Sequence, residues 1–196
     1  MTISSAKTLL LAALAAAVYT ASSAQAAVVI TYSESGSDVV ATGSGSLDTT
    51  ALSGFVAFGN IPRVDPDDVH ISIGSGSFQR RSAASITGPP NIGFGTLAVN
   101  ATSSTGNPMG IWTSLNRILM PSGYVSGAPL SGTSTWAGQS FASLGLTPGT
   151  YVYTYTGSNG PATDTFTVNV GAPVPEPASA AFLGLGALGL LRRRRK

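Results

Sequence analysis

The sequence predicts an all-β protein whose central part is a two-sheet sandwich. Three observations point there. Short runs rich in β-branched and aromatic residues are separated by Gly, Pro, Asn and Ser, the pattern of strands between turns. Between the two ends no stretch carries a convincing 3.6-residue apolar period, so helices are not expected there. The last two runs alternate strictly between apolar or aromatic and polar positions, as half-buried strands do.

In chain order, Val28 to Tyr32 is a β-branched run, and a Ser-Gly-Ser turn leads into Asp38 to Leu47. Further strands are expected at Gly54 to Phe58, Val69 to Ile73, Ile92 to Val99, Gly110 to Leu115, Arg117 to Met120 and Ser134 to Ala137. Ser140 to Leu146 has room for one helical turn, limited by its glycine and by Pro148. Thr150 to Thr156 sets Tyr151, Tyr153 and Tyr155 on one face and Val152, Thr154 and Thr156 on the other. Asp164 to Val170 sets Phe166, Val168 and Val170 on one face, and the turn-forming linker makes these two strands a predicted hairpin. Leu144 to Tyr151 (LGLTPGTY) resembles the entry to a late strand in immunoglobulin-like and fibronectin-like sandwiches, where a Tyr hydroxyl bonds nearby backbone. A jelly-roll-like arrangement of the two sheets stays open beside it.

Length and charge divide the chain. At 196 residues one domain is expected once processing segments are set aside. Residues 1–26 read as a signal peptide: Lys7 opens it, Leu9 to Val18 form its apolar run, and Ala24-Gln25-Ala26 is a small-x-small cleavage site, with cutting expected after Ala26. Residues 27–171 form the secreted body, and 172–196 a separate carboxy-terminal segment. Six of the ten cations lie in the two end segments, whereas all eight acids lie between Ala27 and Pro177. That stretch carries four cations against eight acids, a net −4, so the basic sequence pI is no argument for a nucleic-acid partner. With no cysteine, disulfides, thiolate metal sites and a cysteine nucleophile are excluded.

Few residues in the body point to chemistry. Asp65-Pro66-Asp67-Asp68 offers oxygen ligands suited to Ca²⁺, yet lacks the glycine and distal Glu of an EF-hand loop; a solvated turn in which Asp side chains bond their own backbone is the favoured reading. His70 is the one histidine, and no G-x-S-x-G elbow accompanies it, so no enzymatic activity and no cofactor are expected. Trp112, Trp136 and the tyrosine row either fill the core or form a sugar-stacking platform. Thr163, Thr165 and Thr167 with Thr154 and Thr156 either make a flat array, a pattern associated with ice binding, or are ordinary strand surface. Arg80-Arg81 reads as a solvated loop.

The carboxy-terminal segment is unlike the body. Pro175-Glu176-Pro177 precedes an uncharged stretch, 178–191, which is about 21 Å long as a helix against a hydrocarbon core of ~30 Å. Arg192, Arg193, Arg194, Arg195 and Lys196 follow and would hold the far end in the cytoplasm. The prolines stop a helix from extending backwards and leave the triplet extended. Gly184 to Gly189 satisfies G-x-G-x-x-G in letters only, without the strand and acid that a dinucleotide site needs. Val174 to Ala178, the Gly/Ala/Leu stretch and the Arg cluster resemble the PEP-CTERM sorting signal of Gram-negative bacteria. Val28 to Thr31, Val125 to Trp136, Phe141 to Thr154 and Asp164 to Thr167 are similar to the body of one group of PEP-CTERM proteins, which carries no known activity. The resemblance implies export through the Sec translocon, a transient inner-membrane anchor, recognition of Pro175, Glu176 and Pro177 by an exosortase, and a cell-surface or extracellular destination. It further implies association with exopolysaccharide or biofilm. A secreted glycan- or Ca²⁺-binding module, or a secreted hydrolase using His70, are the alternatives.

Overall fold

Extended backbone dominates the chain because its β-branched runs are punctuated every few residues by glycines or prolines that end them. The computed structural model describes residues 27–59, 61–95, 97–157 and 163–171. The signal peptide, the carboxy-terminal segment and the expected turn of the last hairpin lie outside the described residues. Among the described residues the chain is all-β, in two sheets, without a helix.

The strands are β1 (Ala27–Ser35), β2 (Asp38–Gly45), β3 (Ser53–Phe58), β4 (Arg63–Asp65), β5 (His70–Ile73), β6 (Phe78–Ser82) and β7 (Ser85–Thr87). They continue with β8 (Val99–Asn100), β9 (Ser103–Gly106), β10 (Met109–Trp112), β11 (Arg117–Pro121), β12 (Leu130–Trp136), β13 (Gly149–Thr156) and β14 (Thr163–Val170). One sheet runs β7-β13-β14-β1-β2-β12-β9, the other β3-β6-β11-β10-β5-β4-β8. First and last strands lie side by side and parallel, Val28 opposite Phe166 and Tyr32 opposite Val170. The other pairings are antiparallel, including the expected β13–β14 pair from Gly149↔Val170 to Thr156↔Thr163.

Alternation decides which side chains meet. Val28, Ile30 and Tyr32 of β1, with Val39 and Ala41 of β2, point to the same buried cluster as Ile71, Ile73, Met109, Ile111 and Ile118 of the other sheet. Gly43 marks how closely the sheets approach: a Cβ there would stand 2.5 Å from Ile73 Cδ1 and 2.9 Å from Met109 Sδ. Trp136 and Tyr32, both fully buried, meet ring to ring at 5.6 Å inside that core.

Two expectations are corrected. Ile92 to Val99 is not a strand: Gly93 alone bridges to Leu146, and only Val99–Asn100 joins a sheet. Ile92 is buried and tied by backbone bonds to Pro66 and Thr147, but Phe94 and Leu97 are each 78% exposed, so the apolar run does not bury as a unit. Arg80-Arg81 is not a loop but the middle of β6, held between β3 and β11. Arginine stems pack along a sheet as readily as they extend into water. Ser140 to Leu146 makes the single helical turn its sequence allows, with Leu144 N–H bonded to the Ser140 carbonyl.

Candidate functional site

The acidic turn sits where β4 hands over to β5. Asp65 Oδ1 accepts the Asp68 N–H at 3.4 Å, the self-bonded turn that Asp and Pro favour. Asp68 Oδ2 accepts the Trp112 indole N–H at 2.6 Å, and its carbonyl accepts the Thr113 hydroxyl at 3.2 Å. Val69 has φ +45°, a left-handed conformation that costs a β-branched residue on the order of 1–3 kcal/mol. That kink delivers His70 into β5 directly opposite Trp112, and the two rings stack at 4.0 Å with planes 5° apart.

Burial beneath Trp112, and secondly the Arg63 charge, push the His70 pKa down to about 4, against a smaller opposing effect of Asp68. His70 is therefore neutral at neutral pH, its buried Nε2 makes no hydrogen bond, and no bond joins it to a serine. A cleft of about 290 Å³ lies alongside, lined by Asp67, Asp68, Pro89, Pro90, Ser114 and Tyr153 among others. Among the described residues no group of three or more His, Asp or Glu side chains is arranged to hold a metal ion. Asp65, Asp67 and Asp68 share a turn, but Asp65 and Asp68 each direct an oxygen to a different neighbour.

A second polar cluster, not foreseen in the sequence, lies under β13 and β14. Asp164 is 1% exposed, and its carboxylate accepts the Tyr155 hydroxyl at 2.7 Å, the Asp48 N–H at 2.9 Å and the Thr165 N–H at 2.7 Å. Burial, only partly offset by those donors, raises its pKa. The Tyr124 hydroxyl accepts the Leu47 N–H at 2.9 Å and donates to the Ala128 carbonyl. Every polar group is matched, which makes this a clamp on the 46–52 loop rather than a reactive site.

The aromatics do not present a surface platform. Trp136, Tyr153 and Tyr155 are buried, Trp112 is half-buried over His70, and Tyr151 spends its hydroxyl on the Thr147 carbonyl at 2.8 Å, the expected tyrosine corner. Thr154, Thr165 and Thr167 do share the outward face of their sheet with Thr31, Thr42 and Thr133 from strands far away in sequence. The alternation within VVITYSES, VVATGSG and LSGTSTW carried that signal strand by strand, but not their alignment.

Chemistry of a more specific kind resides in the carboxy-terminal segment. Residues 173–196 match the family described as the PEP-CTERM protein-sorting motif. The chain carries a PEP-CTERM sorting motif. No curated protein and no solved structure matches the chain. The PEP-CTERM motif implies export, transient anchoring of the carboxy-terminal segment in a membrane, and an exosortase as processing partner. Pro175, Glu176, Pro177 and the basic run Arg192 to Lys196 belong to it and, like Ala24 and Ala26 of the signal peptide, lie outside the described residues. No helix of the described residues is long and apolar enough to cross a membrane.

Proposed function

We propose that this chain is a non-enzymatic surface or matrix protein of a Gram-negative bacterium, delivered by Sec and released from its membrane anchor by an exosortase. The PEP-CTERM match over 173–196 is the observation that carries this reading. In it, residues 1–26 are removed on export, residues 27–171 fold outside as a two-sheet sandwich, and residues 172–196 are the sorting signal. Arg192 to Lys196 stop transfer by staying on the cytoplasmic side, and the short apolar segment holds the body near the outer leaflet. Prolines on either side of Glu176 disfavour a helix, a property that suits recognition by a peptidase cleft pairing with backbone. Association with exopolysaccharide or biofilm is the setting this address favours. A body with His70 locked under Trp112, and with its buried carboxylate already saturated by donors, supports a structural role.

Intact-mass measurement of the exported protein tests the processing. Wild type is expected to lack the mass of the segment beyond the motif, and the Pro175→Ala/Glu176→Ala/Pro177→Ala variant to retain it. Equal masses for the two proteins would refute the assignment of these three residues.

A further inference from the structure

We infer that the outward face of the β7-β13-β14-β1-β2-β12-β9 sheet is a docking surface for a neutral, linear polysaccharide chain. Register brings one outward residue from each of six consecutive strands into a row across the sheet: Thr150, Asn169, Thr31, Thr42, Thr133 and Thr105. Five strand spacings make that row about 24 Å long. The row beside it holds Val152, Thr167, Val29, Ser44 and Ser131.

Between the middle parts of the two rows, over β1, β2 and β12, runs a groove of about 290 Å³ whose floor includes Gly43 and Gly132. Thr150 bonds Asn169 at 2.9 Å, but among the described residues the hydroxyls of Thr31, Thr42, Thr133 and Thr105 have no hydrogen-bond partner. Four neighbouring strands thus present free donors and acceptors at a regular interval.

Charge selects the class of partner. Solvent-facing sheet surfaces ordinarily carry Lys, Glu or Arg among their polar residues. Among the described residues the outward positions here are Ser, Thr, Val, Ala and Asn, and Asp38, at the start of β2, is the one charged exception. Asp38 is engaged there with the Gly138 N–H at 2.9 Å and the Ser37 hydroxyl at 3.1 Å. An anionic or cationic polymer would find no counter-charge along either row. A neutral chain of hydroxyl groups finds both donors and acceptors.

Shape selects a line over a plane. Neighbouring strands are rotated by roughly 20–25°, so a row across six of them is a twisted ramp. A crystalline plane such as ice would match only a strand or two, whereas a flexible linear chain can follow the whole row. The inference rests on the exported-matrix reading only for where such a polymer is met. A protein that is processed but binds nothing leaves that reading intact, and an unprocessed protein that binds leaves this one intact.

Native gel electrophoresis of the protein purified from the exporting cell, in gels cast with dextran, glucomannan or hydroxyethylcellulose and with alginate as the anionic control, tests the inference. Retardation by at least one neutral polymer and none by alginate is expected. Thr31→Val/Thr42→Val/Thr133→Val, which keeps shape and β-propensity, should weaken that retardation about tenfold or more. Thr42→Lys should weaken it as well, while Thr87→Val, on the far strand, should not. Near-UV circular dichroism on each variant confirms the fold, and Thr42→Lys decides if the triple variant fails to fold. Mobility unchanged in every neutral gel, equal retardation of the variants, or retardation by alginate alone would overturn the inference. So would inhibition of ice recrystallisation by wild type without any polymer binding.

Discussion

Protonation of His70 is expected to cost the fold much of its stability between pH 6.5 and pH 4. Its pKa falls from the ordinary 6.5 to about 4 on folding, chiefly because the ring is buried against Trp112. The unfolded chain then binds the proton more tightly than the folded one, so stability rises with pH through this window. The contribution is complete above pH 6.5, and is lost progressively as pH falls towards 4. For a 2.5-unit gap the linkage gives a loss of about 2 kcal/mol at pH 5 and about 3 kcal/mol once pH is well below 4. Urea unfolding at pH 7.5 and pH 5 measures it, and His70→Phe, which keeps an aromatic ring over Trp112, should flatten the difference by about that amount. Because the chain has one histidine, a single imidazole resonance reports its titration directly by NMR. A midpoint above pH 6 in the folded protein, or an unchanged pH dependence in the Phe variant, would refute the reasoning.

Two further predictions concern packing and buried polar groups. Gly43→Ala places a methyl group against Ile73 and Met109 of the facing sheet and should cost about 1–3 kcal/mol in urea unfolding; no loss would mean that the sheets do not approach as closely as described. Tyr124→Phe leaves the Leu47 N–H and the Ala128 carbonyl without their shared partner, for about 1–3 kcal/mol, with faster amide exchange at Leu47 as its local signature.

Local period two was enough to read β13 and β14, because Tyr153, Tyr155, Phe166 and Val168 face inward and are large, while β1 was legible as a β-branched run. The tyrosine corner was legible for a similar reason: Thr147 and Tyr151 are four residues apart, and the bond between them is local. β4, β7 and β9 were not legible, since three or four residues cannot display a period and their pairing comes from the neighbouring strands. β6 was hidden by its charges, which suggested solvent although Arg80 and Arg81 are paired with Leu119 and Ile118 in the sheet. The threonine row was invisible for a different reason. Each strand contributes one member, and only the register across six strands aligns them. The sorting motif was fully legible because its elements are contiguous in sequence.

The distribution of acids shows how a cysteine-free exported domain ties its loops. Glu34 accepts the Phe141 N–H at 2.7 Å, Asp38 the Gly138 N–H at 2.9 Å, Asp164 the Asp48 N–H at 2.9 Å, and Asp68 the Trp112 N–H at 2.6 Å. Those partners are 107, 100, 116 and 44 residues apart in the chain, the kind of span a disulfide would otherwise close. A charge-assisted bond is worth roughly 1.5–3 kcal/mol when shielded and less at an exposed position, so several are needed where one covalent link would do. Asp48 adds a local tie, accepting the Thr50 hydroxyl at 2.6 Å and N–H at 2.9 Å, and those bonds hold its pKa below the usual carboxylate range. Such ties need carboxylates at strand ends and in loops. Placing the acids there also leaves Asp38, at the start of β2, as the one charge on the threonine-lined face of the first sheet among the described residues.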